Sequence, residues 1–183
     1  MRNDRKGITE KLKTLGASFT ALGAPPPEIR RAEDFPALIQ ELEGYAREFA
    51  AEGIQFGYHN HDFEFQMLNG QSIYEHIFQH APSLYAEPDT HWIQRGGGDP
   101  ASWIRKLKGR TPAVHVKDYL WRDNAPQYAE VGHGNLNWDA IFEACAYAGV
   151  EYYIVEQDQP TPGVDILDSV ALSFDYLSKR LSL

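Results

Sequence analysis

Four clusters of acidic and histidine residues, each closing a short apolar run, constrain this chain more than any other feature. In order they are Tyr58-His59-Asn60-His61-Asp62-Phe63-Glu64, Asp89-Thr90-His91-Trp92, His115-Val116-Lys117-Asp118 and Val155-Glu156-Gln157-Asp158. The runs that lead into them, 54–61, 84–89, Ala113–Val116 and Tyr152–Val155, read as β-strands. Helical patterns separate the strands, and such alternation indicates parallel βαβ units. When parallel strands close toward a barrel, their C-termini open onto one face, where binding and catalysis take place. An Asp, a His and a Glu delivered there from three strand ends make a candidate divalent-metal site.

The rest of the chain fits the same plan. Ile8, Leu12 and Leu15 recur at near-helical spacing, with Gly16 closing the segment, and 18–22 reads as a further strand. Ala24-Pro25-Pro26-Pro27 marks a loop. Asp34 is the expected N-cap of a helix that carries Pro36 in its first turn and Leu38, Leu42, Tyr45 and Phe49 on one side, up to Gly53. Residues 72–80 read as a helix, with His76 and His80 on its surface. Gly96-Gly97-Gly98 reads as a hinge before the helix start Asp99-Pro100. Residues 121–135 read as an irregular connection, followed by a helix over Trp138–Ala148, the last strand, and a final helix over Ile166–Leu181. The reading gives about five strands in a single α/β domain spanning 1–183, with no linker to divide it.

Composition narrows the function. The formal net charge is −9, from 26 acidic and 17 basic residues, which argues against a nucleic-acid partner. No apolar stretch reaches the roughly 20 residues of a membrane span, and the charged N-terminus is followed by no apolar core of the secretory type. Cys145, the one cysteine, falls within a helical pattern and reads as a core residue; no disulfide framework is possible within the chain. A cytoplasmic location is the expectation.

The four clusters, taken with Gly97-Gly98-Asp99-Pro100, Gly109-Arg110 and Gly132-His133-Gly134, resemble the sugar phosphate isomerase/epimerase family of the xylose-isomerase-like TIM-barrel superfamily. The resemblance implies a (β/α) TIM barrel, here a partial one of about five of eight strands, since a full barrel takes about 250 residues. Set against the family, the chain begins just before the fourth strand. An incomplete barrel exposes strand edges at 18–22 and Tyr152–Val155, so a homodimer, or else an incomplete and poorly active protein, is expected.

By that resemblance Asp89, His115 and Glu156 are metal ligands, and the cofactor is a divalent ion, Mn²⁺ or Mg²⁺ first, Co²⁺ or Zn²⁺ next. The fourth ligand is Glu64 or His59, and sequence leaves the choice open, as it does His59 as a substrate contact. His61, with Glu64 and Glu156, is a candidate proton-transfer group. Lys117 either binds a substrate oxyanion or pairs with Asp118 at the surface; Asp118 alternatively orients a ligand. His91, two positions past Asp89, either turns to the same side as that ligand or is a solvated loop residue. Glu130 and His133 are expected at the sugar, the neighbouring glycines allowing close approach of backbone to ligand. Trp92 and Trp121 are expected near a sugar ring, whereas Trp103 and Trp138 fit helix packing. The implied reaction is isomerisation or epimerisation of a small sugar or sugar phosphate through an enediolate. A dehydratase or lyase on the same scaffold, a phosphodiesterase resembling endonuclease IV, and a non-catalytic sugar-binding partial barrel are the rivals.

Overall fold

In a computed structural model, which describes residues 4–181, nine strands and seven helices alternate. They are α1 (Arg5–Thr14), β1 (Phe19–Leu22), α2 (Phe35–Ala51), β2 (Gln55–His59), β3 (Met67–Leu68), β4 (Gln71–Ser72), α3 (Ile73–His80) and β5 (Tyr85–Glu87). Then follow α4 (Thr90–Arg95), α5 (Pro100–Lys106), β6 (Ala113–Val116), β7 (Asp118–Arg122), β8 (Ala125–Ala129), α6 (Trp138–Ala148), β9 (Tyr152–Val155) and α7 (Ile166–Leu181).

Five of the strands form the arc of a barrel. β1, β2 and β5 pair in parallel as one sheet, β6 and β9 as a second. The sheets meet at a single parallel bridge, Asp89 to His115, where His115 N–H donates to Pro88 O at 2.9 Å. The Arg110 guanidinium, half-buried, donates to the carbonyls of Phe78, Ala81 and Leu84, which anchors the turn before β6.

Side-chain alternation along β2 sorts its residues between two layers. Phe56 and Tyr58 face the helices, with Phe56 stacked on Phe49 at 5.2 Å, while Gly57 and His59 face the barrel interior. Two apolar clusters result. One gathers α2, α3, β2 and the start of β5; the other gathers α6, β6 and Leu177 of α7. α5 and its C-cap divide between them, Leu107 to the first and Ala101 and Ile104 to the second. Cys145 is buried in the second.

Two local expectations are corrected. Asp34 makes no cap: its backbone is already helical, and its carboxylate turns to Arg31 Nε at 3.3 Å. Residues 121–135 are not irregular throughout, because β7 and β8 form an antiparallel hairpin around Asp123 and Asn124, both at positive φ as a two-residue primed turn requires. Gly96 and Gly98 pack where a Cβ would collide with the Phe65 ring, and Gly97 sits at positive φ. Among the described residues no helix is long and apolar enough to cross a membrane.

The open end of the arc is apolar. On β9, Tyr152 and Ile154 face the unfilled interior, Tyr152 with 54% of its surface exposed. On α7 the residues turned inward are Ser169, Ser173 and Leu177, while Leu167 and Phe174 stay 76% and 57% exposed.

Candidate metal centre

Four barrel strands each deliver one residue to the same point. His59 ends β2, Asp89 lies two residues beyond β5, His115 is in β6, and Glu156 follows β9. Each offers one donor atom, and the four atoms lie within 4.8 Å of one another. Parallel register produces the convergence: Glu87 lies beside His59, Asp89 beside His115, and Ile154 beside His115, with Glu156 two residues on. Residues two apart share a face, so all enter the interior at the C-terminal end of the strands.

Asp89 uses its two oxygens differently. Oδ1 accepts from Trp92 N at 2.9 Å and so caps α4, a helix that sequence reasoning missed. Oδ2 is buried with no hydrogen-bond partner. Burial pushes this carboxyl up to about 7, although the Lys117 ammonium, 3.3 Å away, pulls the other way. His59 Nδ1 is also buried without a hydrogen-bond partner, and burial, reinforced by His115, pushes the imidazole down to about 3. A neutral imidazole, through whichever ring nitrogen carries no proton, and a carboxylate oxygen with a free lone pair are the donors a divalent cation takes. With His115 and Glu156 beside them, the residues present fit such an ion.

His115 stands between two carboxylates, its Nδ1 3.1 Å from Glu156 Oε2 and its Nε2 3.4 Å from Glu87 Oε2. Burial alone would lower its pKa, but the two carboxylates raise it to about 9. Glu156 is held well below the usual carboxylate range, first by His115 and then, against burial, by Lys117.

Lys117 is no surface lysine. Only 1% of its side chain is exposed, and Nζ lies 2.7 Å from both Glu156 Oε2 and Asp158 Oδ2. Burial would lower its pKa, yet Asp89, Asp158 and Glu156 together raise it, so the ammonium stays charged. It also lies 5.3 Å from the centre of the Trp92 ring. His61 completes this wall, stacked on Phe63 at 5.4 Å and 5.3 Å from Trp92, with Nδ1 buried and without a hydrogen-bond partner. Burial lowers its pKa, which keeps the ring neutral.

Several expected residues lie elsewhere. Glu64 is fully buried outside the group of four; its Oε1 accepts from Tyr58 Oη at 2.5 Å and its Oε2 from His61 N at 2.8 Å. Burial pushes this carboxyl up to about 7. His91 belongs to α4 rather than a strand, so it does not turn with Asp89; it is buried, its Nδ1 2.8 Å from Asp118 O and its ring stacked on Tyr128. Asp118 touches neither Lys117 Nζ nor a proposed ligand. Its carboxylate accepts from the backbone N–H groups of Tyr119, Gly132, Gly134 and Leu136 and from Trp138 Nε1, at 2.7–3.2 Å. A Cβ at Gly134 would collide with that carboxylate, so the glycine serves an internal contact rather than a ligand. Glu130 accepts from Thr161 N, Thr161 Oγ1 and Ser169 Oγ, tying the approach to α7; against burial these bonds hold it down at about 2. His133 is exposed, and Trp121 lies exposed on the hairpin. Glu87 and Asp158 carried no assigned role in the sequence, although Glu87 stands at the same-face spacing from Asp89.

The family model described as xylose isomerase-like TIM barrel matches residues 8–175. Among solved structures, a sugar phosphate isomerase/epimerase from Parabacteroides distasonis superposes with a TM-score of 0.78 at 23% identity, covering 92% of this chain and 62% of that one. A second from the same organism gives 0.77 at 27% identity, with coverage of 95% and 63%. A D-allulose 3-epimerase from Methylomonas sp. gives 0.65 at 15% identity, with coverage of 94% and 66%. The chain therefore spans under two thirds of the length of the first two. No curated protein is significantly similar to it in sequence.

Proposed function

The chain belongs to the xylose isomerase-like TIM barrel family, and from that premise we propose that it is a metal-dependent isomerase or epimerase acting on a small sugar or sugar phosphate through an enediolate. The observation that carries this reading is the convergence of His59, Asp89, His115 and Glu156 within 4.8 Å at the C-terminal end of four strands. His59 takes the fourth position of the ligand set, because both Glu64 oxygens are already engaged. Two imidazoles beside two carboxylates favour Mn²⁺, Co²⁺ or Zn²⁺ over Mg²⁺, which prefers oxygen donors. Such an ion supplies Lewis acidity toward a carbonyl oxygen and its neighbouring hydroxyl.

The remaining steps belong to side chains. His61 is neutral and its Nδ1 has no hydrogen-bond partner in the protein, so it can accept a proton from substrate carbon and return it to the adjacent carbon on the same side; epimerisation needs a second proton donor on the other side of the enediolate. The Lys117 ammonium, fixed by Glu156 and Asp158, stabilises negative charge that develops on substrate oxygen. Trp92 and His61 present ring faces to a sugar. The exposed apolar face of β9 and α7 supports self-association, and we include a homodimer in the reading.

Metal content of the purified protein, followed by turnover of a panel of ketoses, aldoses and their phosphates, tests the proposal. About one divalent ion per chain, lost in Asp89→Asn together with turnover, is the expected result. A chain that takes up no Mn²⁺, Co²⁺ or Zn²⁺ on titration would sink the metal reading and leave a non-catalytic barrel fragment.

A further inference from the structure

Glu87 reaches the interior one layer deeper than Asp89, beside His59 in the parallel register. Its side chain is buried, and Oε2 stands 3.6 Å from His59 Nδ1 and 3.4 Å from His115 Nε2. The two imidazole rings lie 4.5 Å apart, so a single carboxylate oxygen faces both. On the opposite side of its ring, His115 Nδ1 faces Glu156 Oε2 at 3.1 Å. One nitrogen of His115 thus meets the proposed ligand set while the other meets Glu87.

A neutral imidazole carries one N–H and one lone pair, and the acceptor of the N–H decides which nitrogen is left to bind a metal. We propose that Glu87 is a positioning residue shared by two metal ligands. It accepts from His59 Nδ1 and His115 Nε2, which leaves His59 Nε2 and His115 Nδ1 as the donor atoms. Both separations exceed the usual 2.7–3.2 Å of a closed N–H···O bond, and a shift of a few tenths of an ångström closes either one. The absence of any hydrogen-bond partner for buried His59 Nδ1 leaves Glu87 as the carboxylate that faces it. This assignment rests on the metal reading given above and adds to it which nitrogens bind and what selects them.

The test compares the wild type with Glu87→Gln, which keeps the size of the side chain and removes its charge. Three quantities are measured: Zn²⁺ affinity by competition with a chelating dye, the melting temperature of chelator-treated protein, and long-range ¹H–¹⁵N spectra of the Zn²⁺-loaded histidines. The expected result is a 10- to 100-fold loss of Zn²⁺ affinity, larger than the modest fall in melting temperature that follows from removing one of the two carboxylates beside His115. The wild-type spectra should show metallation at His59 Nε2 and His115 Nδ1. Wild-type protein that binds Zn²⁺, with a Glu87→Gln variant that matches it within threefold, overturns the role of Glu87 and spares the site. An affinity loss that only tracks a fall in melting temperature overturns it as well, by making Glu87 merely structural. Should the variant fail to fold, the wild-type spectra decide alone, since metallation at His59 Nδ1 or His115 Nε2 contradicts the assignment. No Zn²⁺ uptake by the wild type overturns both this inference and the metal reading.

Discussion

Replacing Glu64 by Gln tests the reasoning that removed this residue from the ligand set. Its carboxyl is completely buried and its pKa is raised by that burial from 4.5 to about 7. A raised folded-state pKa means that the folded protein holds the proton more tightly than the unfolded chain does. The stabilisation is therefore fully present below pH 4.5 and is lost as the pH rises through about 7. The shift corresponds to about 3 kcal/mol across that window, at about 1.4 kcal/mol per pH unit. Glutamine does not titrate, so the variant lacks this slope. It carries a constant penalty instead, of about 1–3 kcal/mol, because its amide cannot accept from both Tyr58 Oη and His61 N. Urea unfolding of chelator-treated wild type and Glu64→Gln at intervals from pH 4.5 to 8 measures the difference. The stability of the variant relative to wild type should climb by about 3 kcal/mol over the series, and contributions from every other titrating group cancel in the comparison. Parallel curves would show that the carboxyl is already ionised at pH 5, and Glu64 would then return as a candidate ligand.

Three further outcomes follow from the same geometry. Lys117→Met removes an ammonium that lies 3.3 Å from Asp89 and 2.7 Å from Glu156; calorimetric titration should show tighter Mn²⁺ or Zn²⁺ binding, and the metal-free protein should melt at a lower temperature because three carboxylates lose their shared counter-charge. Asp118→Ala strands the donors that now converge on one carboxylate, with an expected loss of about 3–5 kcal/mol in denaturant unfolding and earlier proteolytic cleavage between residues 119 and 137 than in wild type. Phe174→Asp combined with Ile154→Lys should convert a dimer to monomer in light scattering, since these are exposed apolar side chains of α7 and of β9; a mass that does not change with these substitutions would place self-association elsewhere.

The sequence was legible where period and punctuation agree. Trp138–Ala148, Tyr152–Val155 and Ile166–Leu181 have the bounds that their apolar spacing indicates. The strand-end polar clusters drew attention to Asp89, His115 and Glu156 because strand C-termini in such an alternation share a face, whereas for the fourth position the sequence favoured Glu64 over His59. What was not legible depends on distant partners. α4 is six residues long and its N-cap, Asp89, also reads as the end of a strand, so pattern alone hides it. The β7–β8 hairpin turns on Asp123-Asn124 without a glycine and carries Pro126, both of which mask a strand pair. Glu130, Asp118 and Glu64 were read as acids near a pocket, yet each satisfies a buried set of backbone or hydroxyl donors. Nothing local to an acidic residue distinguishes a ligand from a loop anchor, because the difference lies in which N–H groups the fold leaves unpaired nearby. Glu87 escaped notice since its meaning comes from two rings contributed by other strands.

The division of the interior into two apolar clusters has a bearing on how the protein comes apart. His59 and Asp89 stand on the first sheet and its continuation, His115 and Glu156 on the second, and the backbone joins those sheets at the one bridge beside Asp89. An ion held by all four would add a cross-brace to halves already joined through α5, the Arg110 bonds to the carbonyls of Phe78, Ala81 and Leu84, and the Thr90 Oγ1 bond to Lys117 O. Removing it should weaken cooperativity more than it weakens either half. A calorimetric scan that shows one sharp transition with metal should then broaden or split under chelation, with the half built on α6, β9 and α7, whose outer face is uncovered, melting first.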